Sequence, residues 1–131
     1  MANELTTKTK DMVALMTDHS LGDLIKPLSR DILLFGSHIA GTSYIDDQSI
    51  FDELRAGDKL FLKREPDNRF DENAILVLDE KSRKLGYIPE KDNLVFARLM
   101  DAGKYLIARM TDMDKDAPFV RINIDIYLVD F

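Results

Sequence analysis

The stretch Phe119–Val129, FVRINIDIYLV, is the strongest constraint on what this chain can become. Val120, Ile122, Ile124, Ile126 and Leu128 alternate with Arg121, Asn123, Asp125, Tyr127 and Val129. Successive side chains of a strand point to opposite faces, so this run predicts a β-strand with one face on a core and the other toward water. A single strand of this kind is unstable alone and needs partners with apolar inner faces. The rest of the chain offers them. Lys59–Arg64 sets Leu60 and Leu62 between Lys59, Phe61 and Lys63, and Ala74–Leu78 is a short apolar run. Leu85–Ile88 follows it across the charged cluster Asp79–Arg83, which reads as a hairpin loop. Tyr105–Met110 precedes the last strand, joined to it by Thr111–Pro118. Ile32–Tyr44, rich in branched and aromatic residues but containing Gly36 and Gly41, predicts a bent or bulged strand.

Helical signals surround these strands. Pro89 suits the first turn of a helix whose apolar stripe includes Leu94, Val95, Ala97, Leu99 and Met100, with Gly103 as the stop. Ser49–Leu54 reads as a helical turn. At the N-terminus, Thr6–Thr17 carries Met12, Val13, Leu15 and Met16, and a second segment opens at Ser20 with Leu21, Leu24, Ile25 and Leu28 at helical spacing. Pro27 limits that second helix. The expectation is a mainly β, α+β protein: a helical N-terminal extension over residues 1–30 and one β domain over residues 31–131. Closing about six short strands into a barrel removes exposed edges, so an OB-like or SH3-like small β-barrel with flanking helices is the architecture these elements favour.

Composition narrows the function. The chain has 131 residues, about one domain, and its longest apolar runs fall far short of the ~20 residues of a membrane helix. The opening MANELTTKTKDMVALM mixes acids with lysines and lacks an apolar block with a small-residue cleavage site, which leads us to expect a cytoplasmic protein. With no cysteine, disulfides, thiolate zinc sites and a cysteine nucleophile are excluded. The net charge of −6 opposes nucleic acid at long range, but Arg55–Lys91 holds nine Lys/Arg against eight Asp/Glu, so the acids concentrate elsewhere.

No constellation points to catalysis or a metal. Asp112, Asp114 and Asp116 resemble the opening of a calcium loop, but Ala117 stands where Gly is needed and Asn123 where a bidentate Glu is needed, so a solvated hairpin tip is expected. Asp71 and Glu72 are neighbours that point apart in extended chain, and Ser37 and His38 are adjacent only in sequence. The expectation is no enzyme, no cofactor and no metal.

The segment Lys63–Val77, KREPDNRFDENAILV, is different. A connector between two strands carries Arg64, Glu65, Asn68, Arg69, Phe70, Asp71 and Asn73 around one aromatic. Pro66 cannot donate to a ladder, Asp67–Asn68 favours a turn, and Asn side chains bond local backbone. Arg64, Glu65, Asn68 and Asn73 therefore read as a clasp that holds the loop, which leaves Phe70 as the residue without a structural account.

Taken with Ala40–Tyr44 and Leu85-Gly86-Tyr87-Ile88-Pro89, the pattern G-D-x-L-x-L-x-R-E-P-x-N-x-F-D-x-N-A-I at Gly57–Ile75 resembles the HIRAN domain family, over roughly Ile32–Val129. With no helicase motor among its 131 residues, the chain is expected to resemble the small stand-alone bacterial members. The resemblance implies an OB-like barrel that binds single-stranded DNA and captures a free 3′-hydroxyl end, in DNA repair or replication-fork processing. It implies stacking by Tyr44 and Phe70 with Tyr87 as a further contact, a hydroxyl-binding carboxylate at Asp71, and phosphate contacts from Lys63, Arg69 or Lys91. Ser43 stands where DNA-binding members have Arg, Ile45 and Tyr87 replace an aromatic and a histidine, and Glu90 falls near a basic position. Fewer phosphate contacts mean weaker and less salt-dependent binding. A protein-interaction module on the same barrel, with DNA binding lost, is the alternative reading.

Overall fold

The computed structural model describes residues 30–130. The helices expected within residues 1–30 lie outside the described residues, apart from Arg30 itself.

The alternating run forms the strand Arg121–Asp130, whose inward Ile122, Ile124 and Ile126 are at most 1% exposed. Its hairpin partner is Leu106–Asp114, with Ile126 opposite Ala108 and Ile124 opposite Met110. Ala108 in turn faces Leu60 of Lys59–Arg64. Ile126, Ala108 and Leu60, all at 0% exposure, thus form one apolar rung across three strands. Numbered along the chain, the strands are β1 (Arg30–His38), β2 (Lys59–Arg64), β3 (Ile75–Leu78), β4 (Lys84–Tyr87), β5 (Leu106–Asp114) and β6 (Arg121–Asp130). They form one sheet in the order β1-β6-β5-β2-β3-β4, antiparallel at β2–β3, β2–β5, β3–β4 and β5–β6.

One face of this sheet carries the core. A 3-10 segment, Gln48–Glu53, is capped by the Asp47 carboxylate, which accepts from the Ser49 N–H at 3.1 Å, and contributes Ile50 and Phe51. The helix α1 (Glu90–Asp101) follows Pro89 and has Glu90 and Asp92 in its first turn, where acids favour the helix dipole. It buries Phe96 and Ala97, and the Phe96 ring lies 5.9 Å from that of Phe35 on β1.

The expected closed barrel is not formed: the sheet is open, and its edge strands β1 and β4 share no ladder. They meet at one isolated bridge between Ala40 and Tyr87, where two backbone hydrogen bonds of 2.7 and 2.9 Å run in opposite directions. The bent strand expected over Ile32–Tyr44 explains the failure. The strand ends at His38, with one more bond to β6 from the Ile39 N–H to the Ile122 carbonyl at 2.9 Å. Gly41 then takes a positive φ of 79° and Thr42–Tyr44 coils into a 3-10 turn, so the chain leaves β4 after one residue. Even that bridge depends on Gly86, because a Cβ there would lie 2.3 Å from the Ala40 carbonyl oxygen.

Asp112–Asp116 lies at the exposed end of the β5–β6 hairpin, as expected, with β5 itself continuing through Asp114 after a register shift between Met110 and Asp112. Asn123 on β6 faces Asp112 and donates to its carboxylate at 2.6 Å, which extends the pairing.

Candidate nucleic-acid interface

The loop from Glu65 to Ala74 leaves β2 and returns at β3, and its Glu65, Asn68 and Asp71 side chains hold its shape. Arg64, at the end of β2, donates from Nη1 to the Ala74 carbonyl at 2.6 Å and from Nη2 to the Glu72 carbonyl at 2.9 Å. The same guanidinium forks onto the Asp101 carboxylate of α1 at 2.9 and 3.2 Å. One planar group therefore fixes both the loop's return and the helix beside it, which a lysine's point charge cannot reproduce. That fork holds the Asp101 carboxyl below its ordinary range.

A second set of bonds shapes the tip. The Asn68 side-chain oxygen accepts from the Phe70 and Asp71 N–H groups at 2.9 and 3.1 Å, and its nitrogen donates to Glu65 Oε1 at 3.1 Å. The Tyr87 hydroxyl donates to the same oxygen at 2.8 Å, binding β4 to the loop. Glu65 is held below its usual carboxylate range, chiefly by this Tyr87 bond, with Asn68, Lys84 and Lys63 acting in the same direction against the cost of burial.

Phe70 and Asp71 emerge from this frame. Phe70 is 92% exposed, so its ring contributes almost nothing to burial. Asp71 is half-buried and fixed: Oδ1 accepts from the Asn73 N–H at 2.8 Å, and Oδ2 accepts from Asn93 Nδ2 at 2.7 Å. A carboxylate oxygen offers two lone pairs, so each retains capacity for a further donor. Phe70 and Asp71 line an open cleft of about 240 Å³ with Ala40, Asn68, Ala74, Tyr87, Ile88 and Glu90.

The remaining expected residues divide around this cleft. Tyr44 is 85% exposed on its 3-10 turn, but it lines a neighbouring depression with Ile45, Asp46, Asp47, Ile50, Arg83 and Lys84. Lys63 and Arg69 are exposed, Lys63 on β2 opposite Leu76 and Arg69 beside Phe70. Lys91, on the first turn of α1, faces a separate apolar groove with Leu34, Phe35, Asp92, Val95, Phe96 and Leu99, and its Nζ lies 3.3 Å from Asp92. Glu90, not Lys91, stands at the rim of the Phe70 cleft.

Two participants were missed in the sequence. Asn93 is 2% exposed and orients Asp71 from the buried side of α1. Its signal was a polar residue three and four positions before the buried Phe96 and Ala97. Lys84 joins the two depressions: it borders that of Tyr44, and its Nζ lies 4.7 Å over the Tyr87 ring.

An open six-stranded sheet with one helix at its side, presenting an unpacked aromatic and an anchored carboxylate on a braced loop, has the form of a small β-sheet binding module. The HIRAN domain model matches residues 32–129, and the chain belongs to that family. A solved structure of a protein from Lactobacillus plantarum is similar at 30% identity, covering 79% of this chain and 99% of that one with a TM-score of 0.73. The HIRAN domain of human HLTF shares the fold at 17% identity, covering 76% of this chain and 79% of that one with a TM-score of 0.62. No curated protein matches the chain by sequence.

Proposed function

We propose that this chain is a non-catalytic nucleic-acid-binding domain that captures a free 3′-hydroxyl end of single-stranded DNA, in DNA repair or replication-fork processing in the cytoplasm. One observation carries the reading: Phe70 is 92% exposed on a loop whose other side chains hold it still, directly beside a carboxylate with spare acceptor capacity. A ring held out at that cost suits base stacking, which is worth about 1–3 kcal/mol per base and tolerates any base. A carboxylate repels an internal phosphate yet accepts a hydrogen bond from a terminal hydroxyl, so Asp71 distinguishes an end from an interior.

In this reading Phe70 and Tyr87 receive the terminal base, Tyr44 stacks on a base beyond Lys84, and Lys63 and Arg69 approach the phosphates. Ser43 and Glu90 supply no positive charge, so affinity is modest and best measured at low salt. The test is fluorescence anisotropy with a short labelled oligonucleotide at low salt, comparing the native chain with Phe70→Ala. Binding weakened about fivefold or more supports the reading. Absence of any binding by the native chain removes it and leaves the protein-interaction alternative.

A further inference from the structure

The outer face of β2, β3 and β4 carries a second pattern, distinct from the loop. On the inner face Leu60, Ile75, Val77 and Leu85 are sealed at 0% exposure. On the outer face, pairing sets Lys63, Leu76 and Tyr87 side by side across three strands, with Phe61 opposite Leu78 on the next outward rung. Lys59 shares this face with Phe61 and Lys63 by the period of two, and its Nζ lies 5.1 Å from the Phe61 ring centroid. Lys84 covers the Tyr87 ring in the same way at 4.7 Å. The strip thus repeats one unit, a ring with a lysine over it, and places Lys63 between the two repeats.

Its charge is unlike that of the whole chain. Among the described residues, Lys59, Lys63 and Lys84 are engaged in no ion pair. Glu65 is the acid nearest the Tyr87 end, and its Oε1 already takes two hydrogen bonds. At the other end the strip stops at β5, where Arg109 is the cross-strand neighbour of Lys59 and Asp125 and its guanidinium pairs with Asp31 at 3.5 Å. Acids lie nearby: Glu65 is close enough to feel Lys63 and Lys84, and Glu53, Asp58, Asp79 and Glu80 surround the depression that Lys59 lines. The three lysines outside any ion pair nonetheless interleave with two rings in a pattern that complements a strand of alternating phosphates and bases.

We infer that this strip is a track for single-stranded nucleic acid, carrying the strand out of the Phe70 cleft and across β4, β3 and β2. The inference rests on the end-capture reading above and extends it. Tyr87 is the shared residue, since it lines the cleft and belongs to the strip. A lysine over a partly exposed ring is held weakly. An arriving base displaces it from the ring face, and the freed ammonium moves to an adjoining phosphate. Phe61 then receives a base, and Lys59, Lys63 and Lys84 follow the backbone.

The test uses the full chain and two labelled oligothymidylates with the same free 3′-hydroxyl, a trimer that reaches only the cleft and a dodecamer that reaches the strip. The native chain is expected to bind the dodecamer about tenfold or more tightly than the trimer. Lys59→Gln, a surface change, is expected to reduce that gain and to lower the slope of log affinity against log salt by about 0.7, one contact's worth for a single strand. Phe61→Leu, which keeps an apolar side chain in place, is expected to weaken dodecamer binding about fivefold or more, with the trimer unaffected by either change. If the native chain binds trimer and dodecamer equally, or if Lys59→Gln leaves dodecamer affinity and salt slope unchanged, the track is wrong while end capture stands. If neither oligonucleotide binds, end capture fails and the track with it.

Discussion

Asn93 Nδ2 donates to Asp71 Oδ2 at 2.7 Å, so a residue buried in α1 fixes the carboxylate at the tip of the β2–β3 loop. Asn93 is 2% exposed, so little water reaches it as a substitute partner. Asn93→Ala should therefore destabilise the fold by about 1–3 kcal/mol and weaken oligonucleotide binding although Asn93 does not line the cleft. Asn93→Asp should cost more, because it sets one carboxylate against another. Urea denaturation followed by circular dichroism, with binding measured on the folded fraction, checks both.

Arg64 makes the second long-range tie. Its side chain is 12% exposed and serves two loop carbonyls and the Asp101 carboxylate at once. Arg64→Lys keeps the charge but loses the planar fork, and we expect a loss of about 1–2 kcal/mol in unfolding free energy. A wild-type urea midpoint in this variant would show that the fork is dispensable.

The Tyr87–Glu65 bond makes stability depend on pH. Glu65 has a folded-state pKa below its ordinary 4.5, with the Tyr87 hydroxyl as the largest cause. A depressed carboxylate pKa stabilises the fold above the unfolded value and loses that contribution as pH falls through the folded one. Stability should therefore decline below about pH 4.5, and Tyr87→Phe should flatten that part of the decline. Glu53, held down to about 2 by hydrogen bonds from Arg83 and Lys81, adds an exposed and salt-sensitive part between the same upper limit and about pH 2. Thermal melts of the two proteins across pH 2–7 separate the contributions, and parallel curves would contradict the Glu65 assignment.

Much of this architecture was legible because it rests on local rules. The period of two in β6 and β2 gave their buried faces, and Pro66 and Asp67–Asn68 gave the turn between β2 and β3. The loop bonds of Arg64, Glu65 and Asn68 are local and so were within reach of the sequence. The Asn73 side chain, by contrast, accepts from Arg98 of α1 at 3.4 Å, and only its backbone N–H serves the loop. What depended on distant backbone was not legible. The open edge between β1 and β4 follows from the 3-10 turn at Thr42–Tyr44, whose geometry competes with continued pairing. The extension of β5 through Asp114 follows from Asn123 on another strand. Tyr44 and Phe70, grouped in the sequence by resemblance, stand in adjacent depressions because that same turn carries Tyr44 past β4. Asn93 and Lys84 act across elements, which no spacing within a single element reveals.

The central claim is that the Phe70–Asp71 cleft recognises a strand end. Anisotropy titrations at low salt with one labelled single-stranded oligonucleotide, ending either in a free 3′-hydroxyl or in a 3′-phosphate, test it most directly. The phosphate removes the hydroxyl and places negative charge against the Asp71 carboxylate, so the account predicts at least about tenfold weaker binding of the blocked end, with the difference reduced in Asp71→Asn. Equal affinity for the two ends in the native protein would contradict it.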